Sequence, residues 1–193
     1  MMKTTTNIAI FVSGNGTNCE NIIRYFSGHE SVRVALVLSN RADAFALERA
    51  RRLKVPSVVV GRDDFRRAEV VMPLMEQYEV GFIVLAGFLL MVPDFLIDAY
   101  PRRMLNIHPS LLPKYGGRGM WGHHIHEAVR ASGDTVTGIT VHYVSNVCDG
   151  GEIVFQAETP VGPDDTPDDI AAHIHQLEQQ HFPRVIEQVI TQL

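Results

Sequence analysis

The chain of 193 residues is 46% hydrophobic and 20% charged, which is typical of a folded globular protein and not of a disordered or fibrous one. This length predicts a single domain over residues 1–193. The formal net charge of −5 and the lack of a long lysine or arginine run disfavour nucleic acid as a partner. No apolar run reaches the roughly 18–20 residues that a membrane span requires, so we expect no association with a membrane.

The N-terminal segment and the cysteines indicate the compartment. The first apolar stretch extends only from Ile8 to Val12 and is followed by a glycine-rich turn, so we expect no secretion signal. Cys19 and Cys148 lie far apart and lack the spacing of metal ligands. Cysteines of this kind fit a reducing compartment, and we expect a cytoplasmic protein.

Strands and helices alternate along the chain. Apolar runs predict strands at 7–12, 32–38, 58–60, 82–86, 104–107, 136–144 and 152–161. Helices are predicted at 19–26, 42–53, 64–78, 93–100 and 123–131, and from Pro167, capped by Thr166, to near the C-terminus. Pro73 predicts a break near Met72. This alternation predicts an α/β fold, a Rossmann-like, mainly parallel sheet with helices on both faces.

Segment 136–144 differs from the other predicted strands because its side chains alternate in character. Ile139 and Val141 point to one face, whereas Thr140 and His142 point to the other. Such alternation predicts a half-buried strand.

Two clusters of charged or titratable residues have ordinary interpretations. His123, His124 and His126 match no metal-binding spacing and have no cysteine nearby, so we expect structural or exposed histidines and no metal. The arginines between Arg49 and Arg52 are interpreted as the solvated face of a helix.

A glycine-rich turn, Gly14 to Gly16, ends the first strand and opens a helix. Glycine lets the backbone approach a ligand, and the helix N-terminus offers free N–H groups to an anion. The pattern is incomplete as a dinucleotide fingerprint, because Cys19 stands where a third glycine is required. The turn therefore favours a monophosphate, with a purely geometric turn as the alternative.

Asn106 and His108 stand two apart at the end of the fifth strand, so both side chains point the same way. An amide donor beside an imidazole can stabilise an oxyanion and move a proton. On spacing alone, a polar pair that ties down the following loop is the more favoured interpretation. The rigid proline-bearing loop after His108 suits a positioned catalytic group.

Two carboxylates have open interpretations. Asp149 is compatible with an ordinary turn residue and gains significance only as a partner for His108. Glu178 falls inside the apolar stripe of the last helix, where a carboxylate requires a partner or a ligand. A salt bridge between helices and a ligand contact are equally compatible with this position.

The motifs together resemble the folate-dependent formyltransferase family over nearly the whole chain. The resemblance lies in the segment Asn106 to Pro113 (NIHPSLLP) and in the downstream Asp149-Gly150-Gly151. The turn from Ser13 to Asn18 and Glu178, five residues before a proline, are similar to the branch of the family that acts on glycinamide ribonucleotide.

The resemblance implies both an activity and residue roles. The expected reaction moves the formyl group of 10-formyltetrahydrofolate to the amine of glycinamide ribonucleotide, in purine biosynthesis, through a tetrahedral intermediate and without a metal. Asn106, His108 and Asp149 are implied as the catalytic residues. The implied substrate contacts are Gly16, Thr17, Asn18, Phe88, Pro109 and Glu178. The implied folate contacts are Leu89, Leu90, Met91, Val92, Val144, Asn146 and Asp149.

Three other functions remain as alternatives. A formyltetrahydrofolate deformylase or a methionyl-tRNA formyltransferase shares the catalytic residues but normally carries a further domain, for which 193 residues leave no room. A nucleotide-binding module without catalysis would not require Asn106, His108 and Asp149 together. A zinc hydrolase built on the histidine cluster is disfavoured. The oligomeric state is open, with a homodimer among the alternatives.

Overall fold

The computed structural model describes residues 5–193, in which seven strands form one sheet in the order β3-β2-β1-β4-β5-β6-β7. The strands are β1 (Thr6–Val12), β2 (Val32–Ser39), β3 (Ser57–Val59), β4 (Val80–Leu85), β5 (Met104–His108), β6 (Val136–Tyr143) and β7 (Ile153–Pro160). Strands β1 to β5 are parallel, whereas β6 and β7 pair antiparallel at one end. The start of the N-terminal segment, residues 1–4, lies outside the described residues.

Seven helices cover the sheet within the described residues. They are α1 (Thr17–Tyr25), α2 (Phe45–Arg52), α3 (Arg62–Phe65), α4 (Ala68–Gln77), α5 (Asp94–Ala99), α6 (His123–Ser132) and α7 (Pro167–Thr191). Side chains of α1, α2, α6 and α7 pack in one hydrophobic core and those of α3, α4 and α5 in a second. The predicted Rossmann-like α/β fold, with helices on both faces, is confirmed. None of the helices between residues 5 and 193 is both long and apolar enough to cross a membrane.

The connection of the strands fixes where ligands bind. From β1 the chain moves to β2 and β3 on one side and then returns to β4 on the other side. Ligands of open α/β sheets bind at such a reversal, beyond the carboxyl ends of the strands. The segments that follow β1, β4 and β5 all leave the sheet at this edge, because these strands are parallel.

Helix α7 begins as the sequence predicts. The Thr166 hydroxyl accepts the backbone N–H of Asp169, the Asp169 carboxylate accepts the Thr166 N–H in return, and Pro167 occupies the first helical position. The helix continues through Pro183 to Thr191.

Two local predictions are wrong. The helix break expected near Met72 lies instead before Ala68, where Arg67 adopts an extended conformation, and α4 runs through Pro73. The proline removes only one backbone hydrogen bond of that helix. Strand β6 is not half-buried, because Thr140 and His142 are as buried as Val141. Helix α7 covers the face of Ile139 and Val141, and the loop after β5 covers the other, where the Leu112 N–H donates to the Thr140 hydroxyl at 3.0 Å.

Candidate active site

The turn between β1 and α1 requires glycine at position 16. Gly16 is the N-cap of α1 and has φ +76°, in the left-handed region that glycine adopts at little cost. A Cβ atom at this position would lie 2.4 Å from the Cβ of Ala46. Helix α2 therefore packs so closely against Gly16 that no side chain fits there. The first turn of α1, with Thr17 and Asn18, faces a cleft. The N–H groups of a first helical turn have no partner within the helix and attract anions.

Arg49 of α2 supports this turn and is not part of a solvated face as predicted. Its Nε and Nη2 atoms donate to the backbone oxygen and the Oδ1 of Asn15, at 2.8 and 2.9 Å. It also forms an ion pair with Glu20. The guanidinium is pulled inward because α2 packs beside α1, with the Ala46 N–H donating to the Gly14 carbonyl.

Asn106 is held by a histidine on the neighbouring strand. In the antiparallel register of β5 and β6, Asn106 lies opposite His142, and its Nδ2 is 3.1 Å from the His142 Nε2. The His142 Nδ1 lies 2.9 Å from the carbonyl oxygen of Tyr143, which can only accept, so Nδ1 carries the proton. Burial lowers the pKa of His142, which keeps the ring neutral and leaves Nε2 to accept from Asn106. The second N–H of the Asn106 amide has no partner among residues 5–193, so it can bind a ligand.

His108 and Asp149 meet in a nearly buried pair. The His108 Nδ1 lies 3.6 Å from the Asp149 Oδ1, with 6% and 11% of the two side chains exposed. The His108 Nε2 donates to the Tyr115 carbonyl at 2.8 Å. The Asp149 Oδ2 accepts the Gly117 N–H at 2.9 Å. Within the described residues the Asp149 Oδ1 accepts no hydrogen bond, so this oxygen is available to a reacting group beside the imidazole.

These groups face one cleft of about 680 Å³. At one end lie the glycine turn, Glu178 and two histidines. A second group of lining side chains, which we call the apolar end, is large, apolar and about half exposed, namely Leu89, Met91 and Val147. Trp121 also lines the cleft and is half exposed, and its ring packs on His124 of α6. Asn106, His108 and Asp149 also line the cleft. The cleft thus joins a polar end and an apolar end across a potential acid–base centre.

The polar end contains a carboxylate with two neighbours. The Glu178 Oε2 accepts from the Asn18 Nδ2 at 2.9 Å and lies 3.6 Å from the His175 Nδ1. The nearby Glu178 carboxylate raises the pKa of His175. His126 also lines this cleft and is buried, and its Nδ1 has no hydrogen-bond partner among the described residues. Burial lowers the pKa of His126, so the ring is neutral and available to a ligand.

Nearly all of the predicted site residues line this cleft. They are Gly16, Thr17, Asn18, Phe88, Leu89, Leu90, Met91, Val92, Asn106, His108, Pro109, Val144, Asp149 and Glu178. The ring of Phe88 itself packs against Phe11 and Phe65 in the core. Asn146 is exposed and does not line the cleft.

Sequence reasoning missed three contributors to the site. His142 was expected on an outer face, Arg49 in solvent, and His126 in a structural or exposed position. The motif spacing gave no signal for the first two, because both act through contacts between elements distant in sequence. His126 had a signal, since it stands three residues before Val129 on the inward face of α6, but the histidine cluster obscured it.

The fold and the site define a formyl transferase. The chain belongs to the formyl transferase family, because the model of that family matches residues 6–186.

Two curated relatives and one solved structure that resemble the chain carry the same name. Phosphoribosylglycinamide formyltransferase of Haemophilus influenzae is 37% identical over 185 residues, covering 93% of this chain and 85% of the relative. The enzyme of the same name from Escherichia coli strain K12 shows the same identity and coverage. The crystal structure of phosphoribosylglycinamide formyltransferase from Anaplasma phagocytophilum superposes with a TM-score of 0.87, at 30% identity, over 95% of this chain and 86% of that one.

Proposed function

We propose that the chain, as a single formyltransferase domain over residues 1–193, transfers the formyl group of 10-formyltetrahydrofolate to the amine of glycinamide ribonucleotide. The observation that carries this proposal is the meeting of Asn106, His108 and Asp149 in one cleft with the glycine turn. The names of the curated relatives support the choice of acceptor. A nucleotide-binding module would give no reason for the free carboxylate oxygen beside a buried imidazole.

The three side chains suit an acyl transfer from one nitrogen to another. The free N–H of Asn106 and the Nδ1–H of a protonated His108, whose Nε2–H remains on the Tyr115 carbonyl, would donate to the oxygen of the formyl group as it gains negative charge. The Asp149 Oδ1 would accept a proton from the attacking amine, directly or through water, and this proton would pass to the folate nitrogen as its bond to the formyl carbon breaks. Because Gly117 holds the other oxygen of Asp149, the carboxylate is already oriented for this role.

The polar end of the cleft suits the nucleotide. Gly16, Thr17 and Asn18 would bind the phosphate through the N-terminus of α1. Glu178 would accept hydrogen bonds from the ribose hydroxyls, and its contact with Asn18 joins the two subsites. Phe88 and Pro109 would contact the substrate between this end and His108.

The apolar end suits the flat pterin and aminobenzoyl groups of the folate. The backbone and side chains of Leu89, Leu90, Met91 and Val92 would border the pterin on one side. Val144 and Asp149, in and beside the loop between β6 and β7, would border it on the other side, whereas Asn146 does not line the cleft and is not proposed as a contact. Exposed apolar side chains at the mouth of the cleft give an aromatic ligand an area to bury.

The activity is tested by following the absorbance of 10-formyltetrahydrofolate with and without glycinamide ribonucleotide. We expect consumption only when the amine is present. Consumption without the amine would indicate a deformylase, and no consumption would indicate a binding module. His108→Ala and Asp149→Asn should each reduce kcat by at least ~100-fold, as expected for loss of an acid–base group. His124→Ala is the matched control, because His124 is exposed and does not line the cleft.

The remaining expectations concern surroundings and assembly. We propose a cytoplasmic location, which is supported by the two free cysteines. We also propose that the reaction requires no metal, and activity after treatment with a chelator tests this. Homodimer formation stays a prediction, to be measured by sedimentation.

A further inference from the structure

The loop after β5 binds the catalytic histidine through the backbone of Tyr115. The Tyr115 carbonyl accepts from the His108 Nε2 at 2.8 Å. Two residues later, the Gly117 N–H donates to Asp149. The position of this one loop therefore sets the orientation of both members of the acid–base pair.

Tyr115 adopts a backbone conformation that its own chemistry does not favour. Its φ is +55°, in the left-handed region, which costs a residue with a side chain roughly 1–2 kcal/mol. Such residues persist where their surroundings hold them, and they concentrate at functional sites. We therefore expect contacts of the Tyr115 side chain to hold its carbonyl against His108.

The side chain of Tyr115 is anchored outside the cleft. Its hydroxyl lies 2.7 Å from the Oδ2 of Asp134 and 2.7 Å from the Oγ of Ser132, both at the end of α6. Lys114 contacts both oxygens of Asp134 at 2.9 Å. None of Asp134, Ser132 and Lys114 lines the cleft. The Asp134 carboxylate accepts hydrogen bonds from the Tyr115 hydroxyl and the Lys114 ammonium, and it thereby holds the loop at a point outside the cleft.

The carbonyl of Tyr115 also decides which ring nitrogen of His108 faces the reaction. A carbonyl can only accept, so it keeps a proton on Nε2. The Nδ1 is then directed at the free oxygen of Asp149, 3.6 Å away. If the carbonyl moved, the carboxylate would compete for the single proton of the neutral ring and favour the other tautomer.

We propose that Tyr115, anchored to Asp134, is a positioning residue that fixes the ring orientation and tautomer of His108 for formyl transfer. This inference rests on the proposed function for its kinetic consequence. The structural consequence does not depend on the proposed function, because the tautomer of His108 is a property of the protein without substrate.

The kinetic test removes the hydroxyl alone. Tyr115→Phe should lower kcat by roughly 10- to 150-fold, as for the loss of a hydrogen bond to a charged group, and leave both KM values within about twofold. The pH profile of kcat should also change shape. Tyr25→Phe is the matched control, because it removes a hydroxyl contact to Glu187 on the far side of α1 and should leave kcat unchanged. Asp134→Asn should act like Tyr115→Phe, and the double variant should lose less than the product of the two effects.

The structural test uses the ¹⁵N shifts of the His108 ring at about pH 8, above the ordinary pKa of imidazole. In the wild type Nε2 should carry the proton. In Tyr115→Phe a substantial fraction should carry it on Nδ1, and in Tyr25→Phe the ring should resemble the wild type. An unchanged tautomer together with unchanged kcat in Tyr115→Phe would overturn the proposal. A wild type inactive towards glycinamide ribonucleotide would contradict the proposed function, and the ring shifts would then decide the positioning role.

Discussion

Replacing His142 by phenylalanine tests whether Asn106 depends on its cross-strand partner. The substitution keeps the ring and its packing but removes the acceptor at 3.1 Å from the Asn106 amide and the donor at 2.9 Å from the Tyr143 carbonyl. A buried polar group left without a partner costs about 1–3 kcal/mol. Because Tyr143 is only half-buried, we place the cost at its carbonyl at the low end of this range. We expect the free energy of unfolding to fall by about 2–4 kcal/mol.

The effect on catalysis should exceed the effect expected from lost stability. Loss of one oxyanion donor lowers kcat by about 10²–10³ in other enzymes. In His142→Phe the amide of Asn106 remains but is free to rotate, so we expect a reduction of about 10- to 100-fold. Turnover at saturating substrates and urea unfolding measure the two effects on the same variant.

The matched control for this prediction is His29→Phe. The His29 Nδ1 accepts the N–H groups of Ser31 and Val32 at 3.2 and 3.1 Å, far from the cleft. This variant should lose stability and keep its kcat. If His142→Phe behaved in the same way, with normal turnover by the folded enzyme, the proposed orientation of Asn106 by His142 would be refuted.

Three further predictions concern the polar end of the cleft. Gly16→Ala should destabilise the protein by about 1–3 kcal/mol and raise the KM for the nucleotide. The reason is that the new Cβ would lie 2.4 Å from the Cβ of Ala46, on a backbone in the left-handed conformation. A variant with normal urea unfolding would contradict this. Burial lowers the pKa of His126 below its usual 6.5. The unfolded chain therefore binds a proton more readily than the folded protein, so the free energy of unfolding is highest above pH 6.5 and decreases as the pH falls towards the lowered pKa. His126→Phe should therefore lose less stability than the wild type over this pH range, as measured by urea unfolding at several pH values. If the free energy of unfolding depended on pH equally in both proteins, the ring would not be buried in its neutral form. Glu178→Gln should raise the KM for the nucleotide about 10-fold, because a charge-assisted hydrogen bond is lost, and should leave the KM for the folate unchanged. Bisubstrate kinetics measure both values, and an equal change in the two KM values would contradict this role.

Local sequence determined the elements of the fold. Strands β1, β2 and β4 are short, mainly apolar runs, and α7 begins where Thr166 and Pro167 satisfy the end of a helix. These signals act between residues close in the chain, so they can be read without coordinates. The segment that contains Asn106 and His108, and the glycine turn, could be recognised for the same reason. Pro73 shows the limit, because packing of α4 decided where that helix began.

Tertiary structure decided how those residues are held. His142 orients Asn106 only because antiparallel pairing places them opposite each other, 36 positions apart. Glu178 contacts Asn18 across 160 positions, and Arg49 reaches the glycine turn from another helix. The tautomer of His108 depends on a carbonyl that Asp134 anchors from the end of α6. No local pattern encodes such contacts, because their energies depend on the relative placement of whole elements, which only the packed core determines.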